Sequence, residues 1–223
     1  MICNSNHLLL FNYDHNKNVK FIKANIFVYF FFFLFFSMDK KDFRIIFMGT
    51  PDFAVESLKT LTENDYNIIA VVTNPDKPAG RGQKIKESAV KKYAVSKGLY
   101  VLQPSSLKDE HFQESIRKLE PSLQVVVAFK ILPPSIFNIP THGTFNLHAS
   151  LLPQYRGAAP INHAIMNGEK ETGVTTFFLD EKVDTGKIID QKKVNISETD
   201  TAGTFLDKLM KSGAELVNQP LTV

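Results

Sequence analysis

The chain of 223 residues carries 26 Lys and Arg against 23 Asp and Glu, and the net charge of +3 does not by itself indicate a nucleic-acid partner. Its length suits one domain that buries most of its apolar surface. The single cysteine, Cys3, excludes intrachain disulfides and cysteine-based metal sites, which suits a reducing cytoplasm.

Residues 1–37 differ in composition from the rest of the chain. They hold nine of the 19 Phe, and residues 26–36 form an uninterrupted apolar run. This run is shorter than the roughly 20 residues that span a bilayer as a helix, and no small-residue cleavage site follows it. Met38 comes directly afterwards, so we interpret residues 1–37 as a Phe-rich leader from a mis-assigned start. A secretory or membrane segment and a genuine amphipathic extension are the alternatives.

Downstream of Met38, apolar runs alternate with helical patterns. Strands are predicted at residues 44–48, 67–73, 100–102, 123–129, 144–148, 174–179 and 187–194. Helices are predicted after a Thr50 N-cap with Pro51 in the first turn, after Ser88, after a capping-box pattern at Ser106 and Asp109, and at residues 201–216.

Strands separated by helices predict an α/β, Rossmann-like fold with a mostly parallel, twisted sheet flanked by helices. Ligands of such sheets bind beyond the carboxyl ends of the strands. The sequence has neither a G-x-G-x-x-G turn nor a Walker A motif, so dinucleotide and triphosphate binding are unsupported.

The most specific pattern lies at residues 145–165. Asn146 and His148 stand two residues apart at the end of a predicted strand, so their side chains share one face. Asp184 lies in a turn after the next apolar run, placed to reach the same cleft. Singly, each is more often structural: a capping Asn, a core His or an Asx-turn Asp. Together they supply an amide donor, an imidazole and a carboxylate, which are the groups needed to move an acyl group onto an amine.

Four motifs follow one another in order: RIIFMGTPDFAVESL at 44–58, VVTNPDKPAGRGQK at 71–84, FNLHASLLPQYRG at 145–157 and VDTGKII at 183–189. This arrangement resembles the folate-dependent formyltransferases, from residue 44 to the region of residue 215. The resemblance implies the formyltransferase fold, 10-formyltetrahydrofolate as the formyl donor and no metal. One local departure is Lys130, where the family commonly has Gly.

The second of these motifs is typical of the family members that act on tRNA. The resemblance therefore implies formyl transfer to the α-amine of methionine on initiator tRNA, by a cytoplasmic monomer without a membrane partner. It implies that Asn146 and His148 stabilise the developing oxyanion and that Asp184 assists His148.

Residues 150–153 read SLLP. On sequence alone this is an ordinary exit from a strand into a loop. In the family the matching residues line the folate site, and the resemblance assigns that role to Ser150, Leu151, Leu152 and Pro153. It also implies a catalytic domain at residues 38–217, a ragged tail at 218–223 and a C-terminal β-barrel domain, which we expect this chain to lack.

The loop at residues 74–86 is long for a strand-to-helix connection and is predominantly basic. Its composition also fits a solvated surface loop. Basic side chains at the rim of a catalytic mouth suit phosphate contact, and the resemblance makes Arg81, with Lys77 and Lys84, our candidates for binding tRNA.

Three alternative functions remain open on sequence: a folate formyltransferase acting on a small amine, a hydrolase that releases formate from the donor, and an inactive tRNA-binding fragment. The histidines outside the central motif have no partners at metal-ligand spacing, so we predict no catalytic metal.

Overall fold

A computed structural model describes residue 41, residues 43–79 and residues 84–219. The leader at residues 1–37 and the end of the tail lie outside the described residues. The strands are β1 (Ile45–Gly49), β2 (Ile68–Val72), β3 (Lys77–Ala79), β4 (Lys84–Lys86), β5 (Val101–Leu102), β6 (Leu123–Val127), β7 (Thr144–His148), β8 (Glu171–Phe178) and β9 (Ile188–Asn195). The helices are α1 (Asp52–Glu63), α2 (Ala89–Ser96), α3 (Glu110–Lys118), α4 (Pro134–Phe137), α5 (Pro160–Met166) and α6 (Ala202–Asn218).

Seven strands form one sheet in the order β5-β2-β1-β6-β7-β8-β9. Neighbours from β5 to β7 run parallel, whereas β8 and β9 are added in antiparallel fashion. The mostly parallel α/β sheet predicted from the sequence is therefore confirmed. Every residue of β1 and β6 is buried, which explains why these central strands read as apolar runs, interrupted in β6 only by the buried Gln124.

The sheet is covered by helices on both faces. On one face, Ile46 and Val126 belong to a buried cluster with Phe112 and Ile116 of α3 and Ile136 of α4. On the other, α1 packs against α6. Gly213 allows α6 to lie close to the sheet, because a Cβ there would come within 2.7 Å of the Leu147 side chain.

Two predicted helix starts are wrong by one to three residues. Helix α1 begins at Asp52 after Pro51, without a side-chain cap, whereas the Thr50 hydroxyl is buried and makes no hydrogen bond within the described part of the chain. The Thr50 carbonyl instead accepts a hydrogen bond from Val90 of α2, which ties Thr50 to tertiary structure.

At α3 the cap is Asp109, whose carboxylate accepts the Phe112 amide at 2.8 Å, and Ser106 stays outside the helix. The buried side chains Phe112 and Ile116, four residues apart, determine where this helix docks and begins. The predicted cap Ser88 of α2 is confirmed, and α6 begins after Thr201, whose capping box was not identified from the sequence.

The segment after β2 is more ordered than the irregular loop predicted from its Pro and Gly content. Strands β3 and β4 pair as an antiparallel hairpin, with Lys77 opposite Lys86. Across the described ranges, no helix combines the length and the apolar character that crossing a membrane requires.

Candidate active site at the carboxyl end of β7

Strand β7 presents two polar side chains on one face, as the two-residue spacing predicts. Asn146 lies beside Val126 of β6, and His148 lies beside Thr175 of β8. Asn146 is half-buried, and only 7% of the His148 surface is exposed. Both residues therefore lie in an interior cleft and not on an open surface.

Asp184 reaches this pair from the connection between β8 and β9. One carboxylate oxygen, Oδ2, lies 3.7 Å from Nδ1 of His148, and the two side chains are 13% and 8% exposed. The same oxygen accepts the Gly157 amide at 2.8 Å. Asp184 has a φ of 52°, a left-handed conformation uncommon for a residue with a Cβ. The structure thus brings together the three predicted catalytic side chains.

The other imidazole nitrogen of His148 has a backbone partner. Nε2 lies 2.8 Å from the carbonyl oxygen of Tyr155. Because a carbonyl only accepts hydrogen bonds, Nε2 is the donor and carries a hydrogen. Sequence reasoning missed Tyr155, and no side-chain signal exists for a contact made by a backbone carbonyl.

Two clefts meet at this constellation. The larger, of about 470 Å³, is lined by Asn146, His148 and Asp184 together with Phe53, Pro160 and Leu206. The smaller, of about 120 Å³, has an apolar wall of Val126, Phe129, Leu132, Phe137 and Leu179 and a charged wall that includes Lys130, Asp180, Glu181 and Lys182, beside Asn146 and Asp184. Phe129, Ile131 and Val183 line both clefts, as do Asn146 and Asp184. Groups bound in the two clefts would therefore meet at the predicted catalytic residues.

The SLLP segment is not among the residues that line the two clefts. The Ser150 hydroxyl donates to the Gln154 carbonyl at 2.6 Å, and the Leu152 amide donates to the Thr175 hydroxyl at 3.1 Å. The Gln191 side chain donates to the Leu152 carbonyl at 2.9 Å.

Within this segment, Ser150 and Leu152 are buried, Leu151 is half-buried and Pro153 is exposed. The loop is thus anchored to β8 and β9 by Thr175 and Gln191, which sequence analysis did not identify. Side-chain contact of the segment with folate stays a prediction.

The basic hairpin is anchored at its base. Lys91 of α2 forms an ion pair with Asp76, and the Gln103 amide donates to the same carboxylate at 2.8 Å. The Lys91 ammonium, and next the Gln103 amide, hold the pKa of Asp76 below its usual value. Lys77 is exposed on β3, and Lys84 lies on β4. Arg81 lies outside the described residues.

The arrangement suits transfer of a small acyl group between two bound molecules. An amide donor, an imidazole and a carboxylate are the kinds of group that can stabilise a tetrahedral oxyanion and move a proton. Among the residues that the structure describes, no group of three or more His, Cys, Asp or Glu is placed to hold a metal ion.

Comparison with known proteins connects this geometry to a family. The sequence model described as "Formyl transferase" matches residues 43–221. The methionyl-tRNA formyltransferase of Parabacteroides distasonis is 61% identical over 183 residues, which cover 82% of this chain and 56% of the relative. That of Flavobacterium johnsoniae is 56% identical over 180 residues, 81% of this chain and 57% of the relative. The chain thus spans little more than half the length of these curated relatives.

Solved structures share the fold. The phosphoribosylglycinamide formyltransferase of Bacillus halodurans superimposes with a TM-score of 0.65 at 22% identity, over 80% of this chain and 95% of that one. An N-formyltransferase from Helicobacter canadensis, in complex with folinic acid and dTDP-3-aminofucose, has a TM-score of 0.62 at 27% identity, over 79% and 62% of the two chains.

Proposed function

The chain belongs to the formyl transferase family, and on that premise we propose that it moves the formyl group of 10-formyltetrahydrofolate to the α-amine of methionine on initiator tRNA. The observation that carries the proposal is the junction of the two clefts at Asn146, His148 and Asp184. The choice of acceptor is supported by the relatives named methionyl-tRNA formyltransferase. We place this reaction in the cytoplasm and assign it to a monomer.

In the proposed reaction the amine nitrogen attacks the formyl carbon, and the carbonyl oxygen becomes an oxyanion. The Asn146 amide donates a hydrogen bond to that oxyanion, and His148 donates a second one once its Nδ1 has taken the proton lost by the amine. As the bond between the formyl carbon and N10 breaks, the proton lost by the amine passes through His148 and Asp184 to N10. Removing one preorganised donor typically costs about 3 to 4 kcal/mol of transition-state stabilisation.

The smaller cleft is the proposed binding site for the pterin ring of the formyl donor. Its apolar walls, including Val126, Phe137 and Leu179, suit the faces of a flat pterin, whose polar edge meets backbone groups. In this arrangement Leu151 and Pro153 are the members of SLLP with accessible surface, and they are the two expected to touch the rest of the donor. Ser150 and Leu152 then hold the loop in place.

The larger cleft is the proposed entrance for the amine, and the basic hairpin is proposed to hold the tRNA. Lys77 and Lys84 contribute positive charge there, and Arg81 is the residue proposed to contact the acceptor end. A forked guanidinium recognises a phosphate or a base edge in a way that an ammonium does not.

The test compares acceptors side by side. The chain is supplied with 10-formyltetrahydrofolate and either charged initiator tRNA or a ribonucleotide amine, and formylated product is measured. The proposal predicts product with the tRNA, and a loss of roughly 100-fold or more in Asn146→Ala and in His148→Ala, both of which should still unfold cooperatively on heating.

Near-normal turnover in both variants would contradict the assignment of the site. Formylation of the ribonucleotide alone would favour a small-amine enzyme, and formate release without an acceptor would favour a hydrolase. Binding of tRNA with no turnover would favour a non-catalytic fragment.

A further inference from the structure

Three consecutive residues contact the two titratable members of the candidate site. The Tyr155 carbonyl accepts from His148 Nε2 at 2.8 Å. The next residue, Arg156, donates from Nε to the Asp184 carbonyl at 2.8 Å. The Gly157 amide donates to the Asp184 carboxylate at 2.8 Å. One short segment therefore fixes the imidazole, the carboxylate and the backbone that carries the carboxylate.

The backbone of this segment is held in an unusual conformation. Tyr155 has a φ of 55° and Gly157 a φ of 86°. A tyrosine keeps a left-handed conformation only where its surroundings determine it. Outside the cleft, the Tyr155 hydroxyl donates to a Glu169 carboxylate oxygen at 2.5 Å and accepts from the Asn167 amide at 3.0 Å. The hydroxyl is thus an outer anchor for a carbonyl that points inwards.

We infer that Tyr155, Arg156 and Gly157 form a positioning segment that commits Nε2 of His148 to the backbone and leaves Nδ1 as the nitrogen that acts in the reaction. The inference rests on the proposed function in giving His148 a chemical role. Nδ1 is 3.7 Å from Asp184, too far for a direct hydrogen bond, so this nitrogen is not committed to the carboxylate and can take up a proton.

The segment acts through other residues and is not itself catalytic. A hydrogen bond to one ring nitrogen determines which nitrogen is protonated in a neutral histidine. Without the outer anchor, the Tyr155 carbonyl would leave its inward position, and His148 would lose both its tautomer and its ring orientation. Substrate binding in the two clefts does not depend on that tautomer, so the loss should fall on kcat and not on KM.

The tautomer of His148 is measured directly by NMR on the full chain labelled with ¹⁵N-histidine, with the His148→Ala spectrum used for assignment. The inference predicts that the neutral form of His148 carries its proton on Nε2. In Tyr155→Phe, which lacks the hydroxyl anchor, the ¹⁵N shifts should move to those of a mixture of tautomers. In parallel, kcat for formyl transfer should fall roughly tenfold or more, with KM for donor and acceptor unchanged.

A pair of variants at the exposed Glu169 separates positioning from a general loss of folding. Glu169→Ala removes the acceptor and should reproduce Tyr155→Phe, whereas Glu169→Gln keeps a carbonyl acceptor and should restore the wild-type spectrum. Tyr100→Phe removes a tyrosine hydroxyl at an exposed residue elsewhere and serves as the matched control.

A proton on Nδ1 in the neutral wild type, or a wild-type His148 spectrum in both Tyr155→Phe and Glu169→Ala, would overturn the inference. The NMR arm requires no substrate. An inactive chain whose His148 carries its proton on Nε2, and whose variants shift as expected, would therefore count against the proposed function and not against the positioning segment.

Discussion

Replacing Asp184 by Asn tests whether the carboxylate acts by its charge. Asparagine has nearly the same shape as aspartate, and its side-chain oxygen still accepts the Gly157 amide that Asp184 now accepts at 2.8 Å. The loop should therefore keep its conformation, including the Arg156 contact to the Asp184 backbone. What disappears is the negative charge beside the imidazole of His148.

The expected magnitude follows from the separation of these groups. Unit charges 3.7 Å apart attract by about 1 kcal/mol in water and about 4.5 kcal/mol at an effective dielectric constant near 20. His148 and Asp184 are only 8% and 13% exposed, which favours the upper part of this range. Since the imidazolium forms as the amine loses its proton, we expect roughly 2 to 4 kcal/mol of lost transition-state stabilisation, or a fall in kcat of about 30-fold to 1,000-fold.

The assay is single-turnover formylation of charged initiator tRNA at saturating donor, with thermal unfolding measured on the same preparation. Asp207→Asn, an exposed position on α6, is the matched control and should retain wild-type turnover and stability. Turnover of Asp184→Asn within threefold of wild type would refute the electrostatic reasoning. A large loss accompanied by destabilisation would show instead that the carboxylate is needed to hold the loop.

Three further predictions concern the core, an ion pair and the basic loop. Phe177→Ala removes a ring with 0% exposure and should lower the free energy of unfolding by about 3 to 5 kcal/mol, measured by urea denaturation. The Lys208 ammonium lies 2.6 Å from the Asp200 carboxylate. Its hydrogen bond is the main reason why the pKa of Asp200 is lowered to about 2. Because the ionised form of Asp200 is favoured in the folded state, Lys208→Met should cost stability above about pH 4. That difference should disappear as the pH falls towards 2, and a cost that is constant over this range would contradict the assignment. Arg81→Ala should weaken formylation of charged tRNA by about 1 to 3 kcal/mol while donor binding, measured by titration, stays the same. If donor binding weakened equally, or if formylation of tRNA were unaffected, residues 74–86 would be an ordinary surface loop without a role in tRNA binding.

Part of the architecture was accessible from sequence because it depends on local periodicity. The apolar runs of β1 and β6 predicted buried strands, and both strands are buried throughout. Ser88 was identified as a helix cap because a hydroxyl before a helical pattern satisfies backbone amides within the same turn. Each of these features requires only neighbouring residues.

Helix starts at Thr50 and Ser106 were predicted incorrectly for the opposite reason. A local pattern favoured each of them, but the start depends on distant groups. The Thr50 carbonyl bonds to Val90 of α2, and α3 begins at Glu110, where its buried face, including Phe112, meets the core. The hairpin of β3 and β4 was not predicted either, because the Pro and Gly content of this segment is typical of irregular loops.

The candidate site was also predictable only where it depends on neighbouring residues. The two-residue spacing of Asn146 and His148 in a strand was sufficient to place both on one face, because a strand alternates its side chains. Only the tertiary structure decided that Asp184 lies 3.7 Å from His148, and that the Tyr155 carbonyl occupies the other imidazole nitrogen. These contacts join loops that are distant along the chain, and the second is made by a backbone carbonyl that any residue could supply, so no pattern of side chains encodes it.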